Sequence, residues 1–429
     1  MSYHQVRLGP YVICHLHNLF FTISSASMIH RLLTAVVTFV QSFFLPEHQL
    51  LSSQKWVLGL VNLATVVIFW VLSSFLINDL FETNVYRKPF FITWINTSCF
   101  VFYFIPYLRY KNLSVVGFID LLKQDYEKCN YQRIVDVESV PVSANEYGAS
   151  QDNLVDSEPE TQLEMDTKDS DEEVPVYETV KLSLQFVMLW FCANLVTNSS
   201  LSYTSVASQT ILSSTSSFFT LLVGYLYHIE KINTNKIVGI MLSFGGVLIV
   251  TRIDSSDSSH LPEGSTPLLV LWGNLLALSG ALIYGIYTIL LKHKITKENS
   301  TTERVLDTHL FFGFVGLSCL LLLWPVIIIL HFTGVEVFEI PLGAHVLGLL
   351  TMNALITFIS DFCWCKAVLL TSPLTVTVGL SLTIPLAMVG DWFIKGFHVN
   401  LWYLFGAVIV TLGFLVINKD EKEDFVNDN

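Results

Sequence analysis

Long apolar runs separated by short polar segments dominate the chain from residue 57 to residue 417. A helix that crosses the hydrocarbon core of a membrane, about 30 Å thick, needs about 20 mostly apolar residues. Ten runs meet this requirement: 57–78, 89–108, 182–200, 207–228, 236–252, 268–291, 309–331, 344–367, 374–393 and 401–417. Membrane β-strands would alternate polar and apolar residues over about ten positions, and these runs do not. The pattern predicts an all-α membrane protein with ten transmembrane helices.

The composition agrees with this pattern and excludes other classes of protein. Of 429 residues, 52% are hydrophobic and only 14% are charged, whereas soluble domains are about 25% charged. The seven cysteines lack the spacing of a disulfide scaffold. The chain contains no GxxxxGK[ST] loop for a nucleotide phosphate and no HxxxH metal pair. We therefore expect neither an enzyme nor a cofactor or metal.

The net charge of −13 is concentrated in one segment. Residues 109–180 contain 17 acidic and 6 basic side chains, and the stretch 152–178 contains 11 acids and a single lysine. Such a sequence buries too little apolar surface to fold, so we expect 109–180 to be an acidic disordered loop. A solvated linker is one interpretation, and a binding segment is the other.

The positive charges predict the orientation of the chain. With the amino terminus in the cytosol, 18 Lys and Arg fall on the cytosolic side, 4 on the opposite side and Lys366 inside a span. Cytosolic loops of membrane proteins are enriched in these residues. We therefore place both termini and the acidic loop in the cytosol. The predicted units are an extension at 1–54, two five-helix units at 55–252 and 253–418, and a tail at 419–429. The extension is expected to be disordered, with a mitochondrial targeting segment as the alternative.

A comparison of the chain with itself indicates an internal repeat. At an offset of 167 residues, 204–205 (TS) matches 371–372 (TS), Gly239 matches Gly406 and Gly246 matches Gly413. Spans one to five and six to ten are thus predicted to be two copies of one unit. Because five is odd, the second copy must insert upside down. Inverted repeats are typical of secondary transporters whose site lies between the repeats near the middle of the bilayer.

Three segments also carry a resemblance to a known family: 206–220 (VASQTILSSTSSFFT), 311–317 (FFGFVGL) and 370–387 (LTSPLTVTVGLSLTIPLA). They resemble the drug/metabolite transporter superfamily, specifically the F-type branch of solute carrier family 35 and its fungal vacuolar-membrane or thiamine-repressible members. The resemblance covers about residues 55–418. It implies a ten-helix carrier fold, an EamA-like transporter and a vacuolar membrane, with mitochondrial and Golgi membranes as alternatives.

Two spans are rich in small hydroxyl residues. On span four, Gln209, Ser213, Ser216 and Thr220 follow one helical face. These side chains could line a wet cavity or serve close helix packing. Span nine contains Thr377, Ser381 and the helix-breaking Pro385. Phe218 stands at the position matching Pro385, so the two halves are not equivalent here.

Asp361 is the strongest single signal, because a carboxylate inside an apolar span is costly and usually faces a cavity or a partner. It shares a stripe of span eight with Asn353 and Thr357. The functional interpretation is a site for a solute or a proton. The structural alternative is an ion pair with Lys366 or a cap on a neighbouring loop.

Further candidates lie on spans three and six. Asn194 matches Asp361 at the repeat offset, and Asn198 follows one turn later. Tyr284 and Tyr287 form an aromatic pair that could stack on a ring-bearing solute or pack in the core. Trp364 could add to that surface.

Together these features predict a secondary carrier of a small polar organic solute, working by alternating access. Thiamine-related compounds and other cationic or zwitterionic metabolites are favoured over nucleotide sugars, whose phosphates would require buried Lys or Arg. The expected partners are this solute and the lipid bilayer, without nucleic acid, and a homodimer is left open. The alternative is a non-transporting receptor or scaffold that acts through the acidic loop.

Overall fold

The computed structural model describes residues 52–82, 88–138, 173–200, 203, 206–257, 267–296, 304–339, 343–395 and 401–428. The described part of the first half contains eight helices: α1 Ser52–Glu82, α2 Pro89–Ser98, α3 Phe104–Tyr110, α4 Val115–Glu138, α5 Val176–Ser200, α6 Val206–Ser214, α7 Ser216–Leu226 and α8 Thr234–Asp257. The described part of the second half contains six: α9 Pro267–Ile295, α10 Thr308–Thr333, α11 Ala344–Leu370, α12 Pro373–Gly379, α13 Thr383–Lys395 and α14 Leu401–Asp428. Short 3₁₀ segments, Cys99–Tyr103 and Leu380–Leu382, join α2 to α3 and α12 to α13.

The chain is an all-helical membrane protein in its described ranges. By length and composition, six helices could cross a membrane: Ser52–Leu76, Phe90–Tyr110, Val176–Thr197, Leu268–Ile295, Thr308–Thr333 and Ala344–Leu370. Two shorter apolar stretches are Thr234–Val250 and Pro373–Ala387. Each of the ten predicted runs falls in a helical region, but spans two, four and nine are each divided into two short helices. That all ten cross the membrane stays a prediction.

The helix ends follow local sequence rules. Asp307 caps α10 by accepting from the backbone N–H groups of His309 (3.0 Å) and Leu310 (3.1 Å). The same helix ends at Gly334, whose φ of 73° lies in the left-handed region. Ser372 caps α12 by accepting from the N–H of Thr375 at 3.1 Å, and Pro373 occupies the first turn.

The helices pack in pairs that join the two halves of the chain. The helix α1 packs along α11, and α5 packs along α9. The helix α8 packs along α14, α2 and its 3₁₀ extension pack on α10, and α7 packs on α12. The main buried cluster lies where α1, α5, α9, α10 and α11 meet, and it includes Phe186, Phe311 and Trp364.

The pair α8–α14 is held at close range by glycines. A Cβ on Gly413 would lie 2.6 Å from the backbone N of Ser243 and 2.7 Å from the O of Gly239. A Cβ on Gly246 would lie 2.8 Å from the O of Gly406. Gly239 therefore faces Gly413, and Gly246 faces Gly406, so the two helices run antiparallel. These four glycines are the ones that match at the repeat offset.

The structure differs from the predicted disordered loop at both of its ends. Residues Val115–Glu138 form α4, and α5 begins at Val176, inside the range 109–180. Lys111 pairs with Glu173 at 3.0 Å, and Glu178 pairs with Arg304 at 2.8 Å. The apolar positions of α4, such as Phe118 against Phe104 and Tyr107, give this segment a surface to pack on. Residues 139–172, which contain most of the acidic stretch, lie outside the described residues, as do residues 1–51 of the predicted extension.

Candidate functional site

A buried chain of polar contacts crosses four helices in the middle of the bundle. The indole N–H of Trp364 on α11 donates to the Tyr284 hydroxyl on α9 at 3.0 Å. The same hydroxyl interacts with Thr377 on α12. The Thr377 hydroxyl lies 3.3 Å from that of Thr220 on α7. These contacts thus connect the long helices α9 and α11 with α7 of span four and α12 of span nine.

Asp361 lies one turn before Trp364 on α11 and is only 6% exposed. Its carboxyl is close enough to Tyr284 and Tyr287 to interact with them electrostatically. Trp70 on α1 and Ser360 also interact with the carboxyl. In the part of the chain that the structure describes, its Oδ2 is buried without a hydrogen-bond partner. A buried carboxylate oxygen without a partner requires an explanation, and a bound cation or proton supplies one.

Among the described residues, Asp361 does not form the ion pair with Lys366 that was the structural alternative. The Lys366 ammonium lies 5.9 Å from the centre of the Phe362 ring. Five residues along a helix of 3.6 residues per turn place two side chains about 140° apart. Asp361 faces α1 and α9 instead.

The predicted aromatic pair lies in the packed core beside this carboxyl. The rings of Tyr284 and Tyr287 are 5.0 Å apart, and Tyr287 also meets Trp364 at 5.7 Å and Phe186 at 5.3 Å. Trp364 therefore lies beside the two tyrosines, as the sequence suggested. These rings form one wall beside Asp361, and edge-to-face packing fixes their orientation.

Asn353 lies two turns from Asp361 and is bound across the helix interface. Its Oδ1 accepts from the Ser73 hydroxyl of α1 at 2.6 Å. Thr357, half-buried between them, accepts through its backbone O from the Ser360 hydroxyl at 3.2 Å. Polar groups of α11 and α1 therefore continue from Asp361 away from the α11–α12 junction.

Other predicted residues make local contacts. Gln209 donates to the Ser213 hydroxyl at 3.1 Å, and Asn194 donates to the backbone O of Trp190 at 2.8 Å. Ser216 and Ser381 are half-buried next to the two helix interruptions. The Asn198 side chain lies outside the described residues. Among the described contacts, none joins these residues to Asp361.

The two interruptions correspond in position. In span four, the N–H groups of Thr215 and Phe218 bond three residues back, to Leu212 (3.1 Å) and Thr215 (3.0 Å). In span nine, the tightened segment is Leu380–Leu382. At the repeat offset of 167, Thr215 matches Leu382. The expected interruption of span nine is present, and span four, with Phe218 at the position matching Pro385, is interrupted as well. Pro385 accounts for the interruption of span nine because its ring disturbs the carbonyl four residues earlier, while Ser214 and Thr215 bond back to the preceding turn in span four.

Sequence reasoning missed a charged cluster at the end of the bundle where α14 finishes, which we call the tail end. Lys236 and Glu230, which the sequence analysis did not single out, are 1% and 4% exposed. Lys292 is also buried and donates to the backbone O of Leu369 (3.1 Å) and Thr371 (3.2 Å). No periodicity marks these residues, because their partners come from distant parts of the chain. Within the described ranges, no group of His, Cys, Asp and Glu could hold a metal ion.

Comparison with known proteins gives one family model and several relatives. The model of the EamA-like transporter family matches residues 177–252. An uncharacterised vacuolar membrane protein of Saccharomyces cerevisiae is 46% identical, over 87% of this chain and 92% of that protein. A thiamine-repressible mitochondrial transport protein of the same yeast is 40% identical, over 84% and 91%. Solute carrier family 35 member F5 of Pongo abelii is 31% identical, over 85% and 77%.

The fold has a match among solved structures as well. One protein crystal structure aligns with a TM-score of 0.52 at 10% identity, covering 86% of this chain and 98% of that one. At this identity the likeness is informative about the fold alone.

Proposed function

The chain belongs to the F-type branch of solute carrier family 35, a family of membrane transporters within the drug/metabolite transporter superfamily, and on this premise we propose that it carries a small polar organic solute by alternating access. The observation that carries the proposal is the polar centre built around Asp361. A buried carboxyl oxygen that has no partner among the described residues lies beside a wall of aromatic rings, and the hydroxyl chain from Tyr284 reaches the matching interrupted spans four and nine. Interrupted helices in matching halves are typical of transporter binding sites.

The packing pairs support an inverted repeat. Exchanging the two halves converts the pair α1–α11 into α9–α5, and both pairs are packed. The same exchange converts the pair α8–α14 into itself. Antiparallel packing of Gly239 on Gly413 and of Gly246 on Gly406 is the relation that a two-fold axis in the membrane plane would produce. Rocking of one half against the other about such an axis would expose the centre to each side in turn.

The charges at the two ends of the bundle favour the proposed orientation. The tail end holds the starts of α1, α5, α8 and α10 with their flanking basic residues, such as Lys111, Lys294 and Arg304. We propose that this end faces the cytosol, together with both termini. The vacuolar membrane is the proposed location because a relative of 46% identity is a vacuolar membrane protein. Mitochondrial and Golgi membranes are the alternatives.

A cationic or zwitterionic solute fits the proposed centre. Asp361 offers a negative charge, and Tyr284, Tyr287 and Trp364 offer aromatic faces that attract cations. The two lysines buried at the tail end are engaged by backbone carbonyls (Lys292) and carboxylates (Lys236), about three helical turns from Asp361. Since phosphates prefer Arg and Lys, nucleotide sugars remain disfavoured. A thiamine-related compound would satisfy both the charge and the rings.

The proposal is tested in liposomes that contain the purified full-length chain. They are incubated with a defined mixture of thiamine, amines, amino acids and nucleotide sugars, and mass spectrometry measures what accumulates inside. We expect one or a few cationic or zwitterionic compounds to accumulate above protein-free liposomes, and to exchange with the unlabelled compound. Accumulation of nucleotide sugars alone would contradict the solute class, and no accumulation of any metabolite from a whole-cell extract would contradict the carrier function.

A further inference from the structure

The tail end of the bundle contains a buried cluster of charges that the transport site does not use. The Lys236 ammonium at the start of α8 lies 3.6 Å from Glu230 and 3.2 Å from Asp424, and it also pairs with Glu421. Lys236, Glu230 and Glu421 are all less than 5% exposed. Three carboxylates therefore surround one cation, and two of them are buried with it.

Stabilisation of the fold alone does not account for this cluster. Removing several charges from water costs several kcal/mol each, and a buried ion pair is often no better than a well-packed apolar replacement. An excess of carboxylates over cations makes the balance worse. The arrangement is understandable if the contact forms and breaks during the working cycle, because charged groups return to water at little cost when the contact opens.

The cluster joins the end of α14 to parts of the chain that lie far away in sequence. Glu421 and Asp424 come from α14, Glu230 from the α7–α8 connection and Lys236 from α8. Asp420 accepts from Asn233 at 3.2 Å and from Asn235 at 2.9 Å. We call the α14 residues Asn418, Asp420, Glu421, Asp424 and Phe425 the tail latch.

The tail latch also reaches α1 and the junction between the two site helices. The Trp56 indole of α1 donates to Asn418 at 3.2 Å and packs on Phe425 at 5.3 Å. Glu230 accepts from the backbone N–H of Leu374, in the first turn of α12, at 3.1 Å. Lys292, which holds the carbonyls at the end of α11, lies 6.0 Å from the Phe425 ring.

The junction held in this way lies directly beyond the polar centre. Asp361 is ten residues before Thr371, or about 15 Å along α11, and Thr377 is one turn after Leu374. Opening the tail end to a solute requires α1, α9 and the α11–α12 junction to separate there. With the latch docked, Trp56 and Phe425 tie α1 to α14 at this end.

We propose that the tail latch is the cytosolic gate of this carrier, with Lys236 as the residue that holds it shut, and that transport requires the latch to undock in every cycle. This inference rests on the proposed function and on the proposed orientation. It assigns a role to the last helical turns of the chain and to the α7–α8 connection, which lie outside the solute site.

The contacts of the latch also affect the protonation of Glu230. Burial raises the pKa of the Glu230 carboxyl well above its ordinary value, and Glu421 raises it further, whereas Lys236 and the Leu374 N–H oppose these effects. Asp424 is the remaining charged group on Lys236. The docked state therefore binds a proton at Glu230 more tightly than an open, hydrated state. Docking loses stability as pH rises from the ordinary pKa of Glu, about 4.3, toward the raised value, so acid on the tail side favours the closed gate.

A reversible cross-link tests the gate without disturbing the buried charges. Asn233 and Asp420 are at the surface of the latch and bonded to each other, so the pair Asn233→Cys and Asp420→Cys is joined with a short thiol-specific cross-linker that a reductant cleaves. We expect uptake of the thiamine and metabolite mixture into liposomes to fall in proportion to the cross-linked fraction, and to return after cleavage. Each single-cysteine variant is treated in the same way and shows whether the introduced cysteine becomes cross-linked to a native cysteine.

The matched control is a second surface contact at the same end. Lys111 and Glu173 are 3.0 Å apart, but both belong to the first half and flank α4 and α5. The pair Lys111→Cys and Glu173→Cys should cross-link equally well and leave uptake unchanged. Full uptake by the cross-linked 233–420 pair would overturn the gate.

A structural measurement separates failure of the gate from failure of the carrier proposal. Spin labels at 233 and 420 should give two distances in liposomes. We expect Lys236→Met to enrich the longer distance, and Lys419→Met, which removes an exposed lysine of α14, to leave both distances unchanged. Two distances without any uptake would retain the moving latch and reject the carrier. Uptake with a single short distance would reject the gate and retain the carrier.

Discussion

At the scale of single residues, the central question is the role of Asp361. Its carboxyl faces α1 and the tyrosines of α9, with one buried oxygen lacking a partner among the described residues. The cost of burying a carboxylate in an apolar bundle is offset when a cation or a proton binds it. The Lys366 side chain points about 140° away along α11 and lies on Phe362, so it does not neutralise Asp361.

We expect Asp361→Asn to insert and accumulate normally and to lose transport, because the size of the side chain is kept and its charge is removed. The measurement is uptake per folded molecule in liposomes. Loss of proton dependence with retained solute exchange would assign the carboxyl to coupling, whereas loss of solute binding would assign it to the solute.

Lys366→Gln is the control for this substitution. It removes the other charge of α11, and we expect it to transport normally because Lys366 faces the opposite side. If Asp361→Asn fails to fold while its folded fraction transports at the normal rate, or if Lys366→Gln reproduces its defect, the functional role of Asp361 is wrong and the structural ion pair is right.

At the scale of helices, two features distinguish the elements that are expected to move from those that hold the bundle together. The spans α6–α7 and α12–α13 are interrupted at matching positions and carry Thr220 and Thr377 to the centre. The pair α8–α14 is continuous and held through glycines where Gly239 meets Gly413 and Gly246 meets Gly406, and the tail latch lies beyond these contacts. Tightened turns inside helices often mark hinges, whereas close backbone packing is characteristic of fixed helix pairs in membranes.

Gly413→Ala tests the locked pair. The added Cβ would lie within 2.7 Å of two backbone atoms of α8. Backbone atoms, unlike side chains, cannot move aside by changing rotamer. We expect the two helices to be pushed apart and the protein to be destabilised by about 1–3 kcal/mol, as in other overpacked contacts. The measurement is the thermal unfolding midpoint of the purified protein in detergent.

Gly245→Ala provides the comparison within the same pair of helices. No atom lies within 4 Å of a Cβ at Gly245, and the residue is on α8 one position from Gly246. We expect an unchanged or slightly raised midpoint, because alanine favours a helix over glycine by up to about 1 kcal/mol. Equal destabilisation by both substitutions would mean that α8 and α14 are not in close contact.

At the scale of the whole molecule, orientation and the acidic segment remain to be tested. The structure brings Asn233 and Lys294 to the tail end, and Val335 and Val337 lie beyond the far end of α10. Exposed cysteines at these four positions can be probed with reagents that do not cross the membrane. We expect labelling of 233 and 294 from the cytosolic face only, and of 335 and 337 from the opposite face only. Labelling of both sets from one face would reject the inverted repeat.

Deletion of residues 152–172 distinguishes the carrier from the scaffold alternative. The range first suggested by charge, 152–178, must be shortened, because Glu173 and Val174 pair with Lys111 and Val305, and Glu178 binds Arg304. We expect uptake in liposomes to survive the shorter deletion. A cellular defect caused by the deletion alone, with uptake intact and Asp361→Asn harmless in the same cells, would favour the scaffold.

The class of protein, the helical segments and the family could all be predicted from residue patterns along the chain. Apolar runs of membrane-spanning length leave only the helix as a way to satisfy the backbone, so periodicity and length were sufficient. Asp361, Tyr284 and Thr377 were found because a polar residue inside an apolar run is conspicuous in one dimension. The hydroxyl stripe of span four contained Thr220 for the same reason.

Packing between distant segments determines which of these residues meet and which charges are shielded from water, and no local pattern reveals it. The Trp364–Tyr284–Thr377–Thr220 chain of contacts joins four helices, and its members are up to 157 residues apart. Acidic composition concealed the helix α4, because its few apolar side chains pack on α3, α5 and α10, which lie next to it only in the folded protein. Glu230 and Lys236 look like ordinary loop charges because their burial depends on the end of α14, almost two hundred residues away. Local sequence fixes what a segment can form, and long-range packing fixes where its charges end up.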